Sequence, residues 1–422
     1  MHRLNKIKVL IIIWGMLISG SAFSQDIIVV CPDCKVSSIK QAIEKAKSGD
    51  EIVVKNGVYK ETGIRIEKKL SIYGENFPEI DGQNLNQEII SVAHDSVTIS
   101  GFVVKNVGVS YIDDLAAIKV YEHKGCVIEN NKIQNAFFGI YLNHSNNCVI
   151  RNNEVIGEAV AEMSSGNAIH LWYARDILIE GNLAKNHRDG IYLEFVENSK
   201  VSDNVSEGNL RYGLHFMFSN HNTYSGNTFQ NNGAGVAVMF SRFITMTKNK
   251  FYKNWGTSSY GLLLKEIFDG EITNNYFEEN TVGIYAEGSN RMKIENNDFK
   301  SNGWAMKILG SCMDNTFTGN NFFFNTFDIT TNARTFESNK ISRNYWSEYT
   351  GYDLDKDGIG DQPYRPVKVF SFVITRVPAS IILLRSLFID MLNFAEKVMP
   401  VMTPSTLMDE QPLMKPADRS AF

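Results

Sequence analysis

The sequence predicts an all-β fold, a right-handed parallel β-helix wound from coils of about 22 residues, with a short helix capping one end and a helix plus extended arm at the other. Three observations predict it. An asparagine recurs at Asn131, Asn153, Asn182, Asn204, Asn227, Asn249, Asn275 and Asn297, at intervals of 22, 29, 22, 23, 22, 26 and 22 residues. Fourteen residues before each lies a small residue (Ala117, Gly139, Ala168, Gly190, Gly213, Gly235, Gly261, Gly283), followed at once by an aliphatic one and, two further on, by another apolar residue. Such period-two alternation marks strands with one face in and one face out. A unit this short cannot hold paired helices and matches one coil of a solenoid. Composition agrees: 26 Phe and 17 Tyr with 31 Gly and only 9 Pro suit strands joined by many turns.

In chain order, residues 1–24 read as a secretory signal peptide. Arg3, Lys6 and Lys8 precede an apolar run from Val9 to Gly20, and Ala22 and Ser24 supply small residues before a cut at Gln25. The run is shorter than the ~20 residues that span a bilayer. Cleavage removes three basic groups and no acidic one, taking the formal charge from −5 to −8. The mature protein is therefore expected to be exported, soluble and acidic, and with no basic excess it is not expected to bind nucleic acid. Residues 25–50 form the N-terminal cap. Ser38 and Gln41 make a capping box, Ile39, Ala42, Ile43 and Ala46 share a helical face, and Gly49 stops it. Residues 51–343 are the coils, with a second strand in each marked by Ile128, Ile150, Ile179, Val201, Tyr224, Met246, Ile272 and Ile294. The recurring Asn either occupies a positive-φ turn or bonds through its amide to the next coil. The two long intervals predict outward loops.

Stacking in register turns aligned positions into columns about 4.8 Å apart. Two columns face outward. One reads Lys119, Tyr141, His170, Tyr192, His215, Ala237, Leu263, Tyr285; the other reads Tyr121, Asn143, Trp172, Glu194, Met217, Met239, Lys265, Glu287. His215 and Met217 share one side of a strand, and Met239 lies directly beside Met217. An imidazole and two thioethers suit Cu(I), not Mg²⁺ or Ca²⁺. The alternative is that the methionines are apolar cover and His215 a hydrogen-bonded surface imidazole. His170 is two coils away and belongs to an aromatic patch with Tyr141, Trp172 and Tyr192. Cys126 and Cys148 stack in one column, as buried thiols or as a disulfide, while Cys31 and Cys34 are either a local disulfide or a copper-handling pair.

Residues 344–377 contain Asp353, Asp355, Asp357 and Gly358, the opening of a calcium loop, with Asp361 at the ninth place but Tyr364 where a closing Glu would stand. The segment is either a weak Ca²⁺ site or a metal-free turn. Residues 378–422 read as a docking element. Leu384, Phe388, Met391, Leu392 and Met399 follow helical spacing from Pro378, and an arm carrying Met402, Met408 and Met414 follows. Four charges within the helix argue against a membrane span. A C-terminal cap folded onto the last coil is the other reading of this helix and arm, and the two readings are compatible.

Tyr212-Gly-Leu-His-Phe-Met-Phe-Ser219, Gly235-Val-Ala-Val-Met-Phe-Ser241, Asn344-Tyr-Trp346, the run from Gly351 to Pro366, and the tail with Leu384-Arg-Ser386, Pro404, Asp409 and Pro412-Leu-Met414 together resemble the NosD family. The resemblance covers essentially the whole mature chain. It implies a periplasmic maturation factor for nitrous oxide reductase, supplying its copper–sulfur centre with an ABC transporter. It further implies that the His215–Met217–Met239 patch handles copper transiently as Cu(I), that the C-terminal helix and arm meet the transporter's permease, and that a copper donor protein and apo nitrous oxide reductase are partners. No catalysis is expected. The competing classes are a polysaccharide lyase or epimerase, which needs clustered carboxylates and a proton acceptor that the outward columns offer only singly, and a passive carbohydrate-binding or adhesive surface.

Overall fold

The computed structural model describes residues 26–110, 112–332, 338–399 and 407–419; the expected signal peptide and Met402 lie outside them. The described chain winds into a right-handed parallel β-solenoid with three faces, sheets of 14, 12 and 13 strands whose neighbours are successive coils. Pairings follow the repeat read from sequence: Ile118 faces Ile140, Ile140 faces Ile169, and so on to Ile284 against Met306. The alternating aliphatic positions are buried in one continuous core. On the third face a ladder of rings, Phe229, Phe251, Phe277, Phe299, Phe322 and Trp346, runs up the interior with successive centroids 4.2–5.5 Å apart.

The asparagines hold the coils in register through their amides. Asn227 donates its backbone N–H and its Nδ2 to Oδ1 of Asn249, each at 3.0 Å, and its Nδ2 also to the Val201 carbonyl at 2.9 Å. The positive φ belongs to the residue before, as at Asn130, Asn152, Asp203 and Asn274. The small residue is required by close approach. A Cβ on Gly213 would stand 2.7 Å from the Gly235 carbonyl oxygen of the next coil.

Helix α1 spans Ile39–Lys45 and closes the first coil with Ile39, Ala42 and Ile43 buried. Ser38 caps it by accepting from the Gln41 N–H at 3.2 Å, and the Glu61 carboxylate, not Gln41, satisfies the free N–H groups of Ile39 and Lys40. The strand Ile27–Val30 pairs with Glu51–Val54, so the first sheet begins ahead of the helix. The two long intervals are loops. One carries a single 3₁₀ turn, Glu162–Ser164, with Met163 exposed, and the other exposes Trp255.

At the far end the last strands are Phe327–Thr331, Lys340–Ser342 and Tyr345–Trp346. Helix α2, Val369–Arg376, was not foreseen. The single helix expected from Pro378 is a 3₁₀ segment, Pro378–Leu383, and then α3, Leu387–Val398, because Ser386 starts a new N-cap and accepts from the Ile389 N–H.

Candidate metal centre

The strand Tyr212–Met217 lies in the 12-stranded sheet between Asp189–Glu194 and Ala234–Met239. Leu214 and Phe216 fill the core, which turns His215 and Met217 to the outer face. His215 stands opposite Tyr192 and Ala237, and Met217 opposite Glu194 and Met239. The structure thus puts the three predicted ligands on one face, with the thioethers in register and half-buried.

His215 is only 5% exposed, and its surroundings include two residues that sequence reading missed. Asp189, wholly buried, accepts from Arg211 Nε at 3.0 Å, from Arg211 Nη2 at 2.6 Å and from the Tyr212 N–H at 3.2 Å. Arg211 Nη2 also lies 3.3 Å from Nδ1 of His215, and Asp189 Oδ2 lies 3.8 Å from that same nitrogen. The Tyr192 and Tyr212 rings close on the imidazole at 4.9 Å each. Nε2 is buried and has no hydrogen-bond partner. Burial alone would raise the Asp189 pKa, but the His215 imidazole beside it and the bonds and charge of the Arg211 guanidinium outweigh it and hold the carboxyl below its usual range. The sequence signal for Asp189 was an acid in a column otherwise made of Ala116, Phe138, Asn167, Tyr212 and Ala234.

An unpartnered buried imidazole nitrogen costs free energy unless something fills it. Together with two thioethers on the same face it fits a soft metal ion. Asp189 is sealed and locked by Arg211, and Glu194 accepts from the Tyr192 hydroxyl at 3.0 Å. His170 stays in the aromatic patch, 4.6 Å from the Tyr141 ring and 4.7 Å from Tyr192, and burial lowers its pKa to about 3.

Just beyond the methionines the chain turns at positive φ through Tyr173, Phe195, Phe218 and Phe240. Their rings stack at 4.5, 5.2 and 5.2 Å and wall a groove of about 680 Å³ whose other side carries Arg175, Glu197 and Arg242. Cys31 and Cys34 form a disulfide, and Cys126, Cys148 and Cys312 are free and buried, so none of the five offers an accessible thiol.

The family model described as periplasmic copper-binding protein (NosD) matches residues 157–351, which contain all three candidate ligands. A protein of Pseudomonas aeruginosa named probable ABC transporter binding protein NosD is 29% identical over 83% of this chain and 85% of its own. Its namesake from Stutzerimonas stutzeri is 30% identical over 68% of this chain and 69% of its own. This chain belongs to the NosD family. Among solved structures, the A-module of the Azotobacter vinelandii mannuronan C-5 epimerase AlgE6 superposes with a TM-score of 0.51 at 12% identity, covering 73% of this chain and 93% of the module. A family 28 exopolygalacturonase of Yersinia enterocolitica gives 0.53 at 9%, covering 76% of this chain and 78% of that one. At such identities the NosD chain shares their solenoid and nothing more is implied.

The other predicted sites of this NosD chain are placed as follows. Asp353, Asp355 and Asp357 bring carboxylate oxygens within 4.8 Å of one another. Asp361 does not join them; its Oδ2 accepts from the Leu354 N–H at 2.7 Å. The docking set divides. Leu384 and Leu392 turn inward onto Phe327, Phe370, Ile374 and Ile389, whereas Phe388, Met391 and Met399 face solvent with Ile382, Leu387, Phe394 and Val398. The described part of the arm, residues 407–419, does not project. Met414 donates its N–H to the Gly358 carbonyl, Leu413 donates to Asn344, and Met408 is half-buried beside them, because Asp409 is drawn into the end of the solenoid. Met408 and Met414 are thereby parts of the cap.

Proposed function

We propose that this protein is a non-catalytic periplasmic accessory factor that carries copper, as Cu(I), for assembly of the copper–sulfur centre of nitrous oxide reductase. His215, Met217 and Met239 hold the ion in transit. A copper donor protein loads it, apo nitrous oxide reductase receives it, and the exposed side of α3 meets the permease of an ABC transporter. The observation that carries this reading is the buried, unpartnered Nε2 of His215 on the same face as two in-register thioethers. The family description and the names of the relatives support the metal and the transporter. The aromatic wall beside Met217 and Met239 gives a partner protein an apolar edge on which to close over the ion, excluding water during exchange.

The test is a Cu(I) titration of the full mature chain in competition with a chromophoric chelator. Replacing His215, Met217 and Met239 by alanine should abolish Cu(I) binding and leave the circular dichroism of the solenoid unchanged. Unaltered affinity in the triple variant would refute the site.

A further inference from the structure

We infer that Asp189 and Arg211 compete for Nδ1 of His215, and that Asp189 is the positioning residue that makes Nε2 of His215 available to a metal ion. The inference rests on the copper reading of the site and goes beyond it by naming what prepares the imidazole. A neutral imidazole carries one proton on one of its two nitrogens. In the geometry present, Arg211 Nη2 stands 3.3 Å from Nδ1, and a guanidinium only donates, so Nδ1 accepts and the proton sits on Nε2. That tautomer has no lone pair at Nε2 and cannot ligate. It also explains why Nε2 is buried without a partner: its N–H meets no acceptor.

The opposite arrangement is close at hand. Asp189 Oδ2 lies 3.8 Å from the same Nδ1, about 1 Å beyond a normal hydrogen bond. If the imidazole shifts toward the carboxylate and away from Arg211, Nδ1–H donates to Asp189 and the Nε2 lone pair is free. No proton is gained or lost overall; it moves between the two ring nitrogens. Asp189 keeps its charge in either state and in the absence of Arg211, because the Tyr212 N–H bonds to its other oxygen, Oδ1, and a second guanidinium, that of Arg188, has its Nε 3.8 Å from Oδ2. A carboxylate on the far nitrogen of a metal-bound histidine fixes its tautomer and raises its basicity, and losing such a partner costs 10–100-fold in metal affinity. Arg211 is then a latch. It holds the empty site in the non-ligating form, and an arriving ion must displace it.

Two variants of the full chain separate this from a merely structural role, because they act in opposite directions. Asp189→Asn should weaken Cu(I) binding about 10–100-fold. Arg211→Met, which keeps the apolar stem and removes the donor, should bind Cu(I) at least as tightly as the wild type. ¹⁵N shifts of His215 in the metal-free protein supply a readout independent of affinity: protonated Nε2 in the wild type, protonated Nδ1 in Arg211→Met. Equal weakening by both variants, or an unchanged ¹⁵N pattern in Arg211→Met, would overturn the inference. Should Asp189→Asn fail to fold, the ¹⁵N comparison of Arg211→Met decides alone. Wild-type protein that takes up no Cu(I) overturns the copper reading and this inference together, whereas wild-type uptake with an unaffected Asp189→Asn overturns this inference only.

Discussion

His187 and Asp328, buried ionisable residues outside the candidate metal centre, pull the pH response of this solenoid in opposite directions. His187 is 2% exposed, its ring packed against Gly157, and burial lowers its pKa to about 4. Folded, it stays neutral between pH 6.5 and 4, while the unfolded chain takes up the proton, so stability present above about 6.5 is lost as pH falls toward 4. Asp328 is the reverse case. Burial raises its pKa to about 7, so the folded state keeps a proton that the unfolded chain releases above pH 4. Its contribution is fully present below the unfolded value and is lost as pH rises through 7. Each shift amounts to some 3 kcal/mol in order of magnitude, and in the wild type they partly cancel. The variants should pull the profile apart. His187→Asn should gain stability at pH 4.5 relative to pH 7.5, and Asp328→Asn should gain at pH 7.5 relative to pH 4.5. Melting temperatures at the two pH values check this, and parallel shifts at both would contradict it.

Elements in this molecule are stabilised by stacking, and a stack must end. The asparagine column runs through Asn297 and Asn320 to Asn344, where no further coil follows. Asp409 of the C-terminal arm takes the missing place. Its Oδ2 accepts from the Asn344 N–H at 3.0 Å, from Asn344 Nδ2 at 3.1 Å and from Trp346 Nε1 at 3.1 Å, and it is wholly buried. Asp409→Ala strands three buried donors and should cost on the order of 3 kcal/mol. Because each coil rests on its neighbours, the loss should be local. Hydrogen exchange should accelerate in Lys340–Ser342 and Tyr345–Trp346 and remain unchanged near Asn227; uniform acceleration would mean that the stack melts as one unit.

The contrast between column and cap also shows what could be read from the chain. The coils, their register and the shared face of His215, Met217 and Met239 were legible because in-register winding makes one-dimensional spacing equal to spatial adjacency. A second asparagine column (Asn209, Asn232, Asn254, Asn280, Asn302, Asn325) obeys the same spacing and went unread beside the first. Asp409 could not be read that way: it meets its partner across 65 residues with no repeat to announce it. The Arg211 side chain was hidden for a related reason, since it reaches back from a turn across to the neighbouring strand.

For the whole molecule, the arm's role as a cap changes what a docking experiment must look like. Deleting residues 378–422 would remove Asp409 together with the exposed helix, and lost association could then reflect a frayed solenoid. Surface substitution separates the two. Among the described residues no helix is long and apolar enough to cross a membrane, yet Phe388, Met391 and Phe394 of α3 are 66%, 63% and 69% exposed. The opposite side of that helix is already committed: Ile389 and Leu392 pack against Phe327, Phe370 and Ile374 on the last coils and α2. The exposed side is therefore fixed relative to the solenoid, and apolar side chains held in water on a rigid base are what the proposed docking to the permease would bury. Polar replacements there remove little buried surface. The triple variant Phe388→Ser, Met391→Ser, Phe394→Ser should melt like the wild type and still bind Cu(I), because the candidate metal centre lies on strands that end at Met217 and Met239, coils away from α3. Its co-purification with the co-expressed transporter permease should fall at least about tenfold, the loss expected when several buried apolar anchors are truncated together. Full retention of the complex would move the docking surface off α3 and onto the coils, where the aromatic groove beside the methionines becomes the next place to mutate.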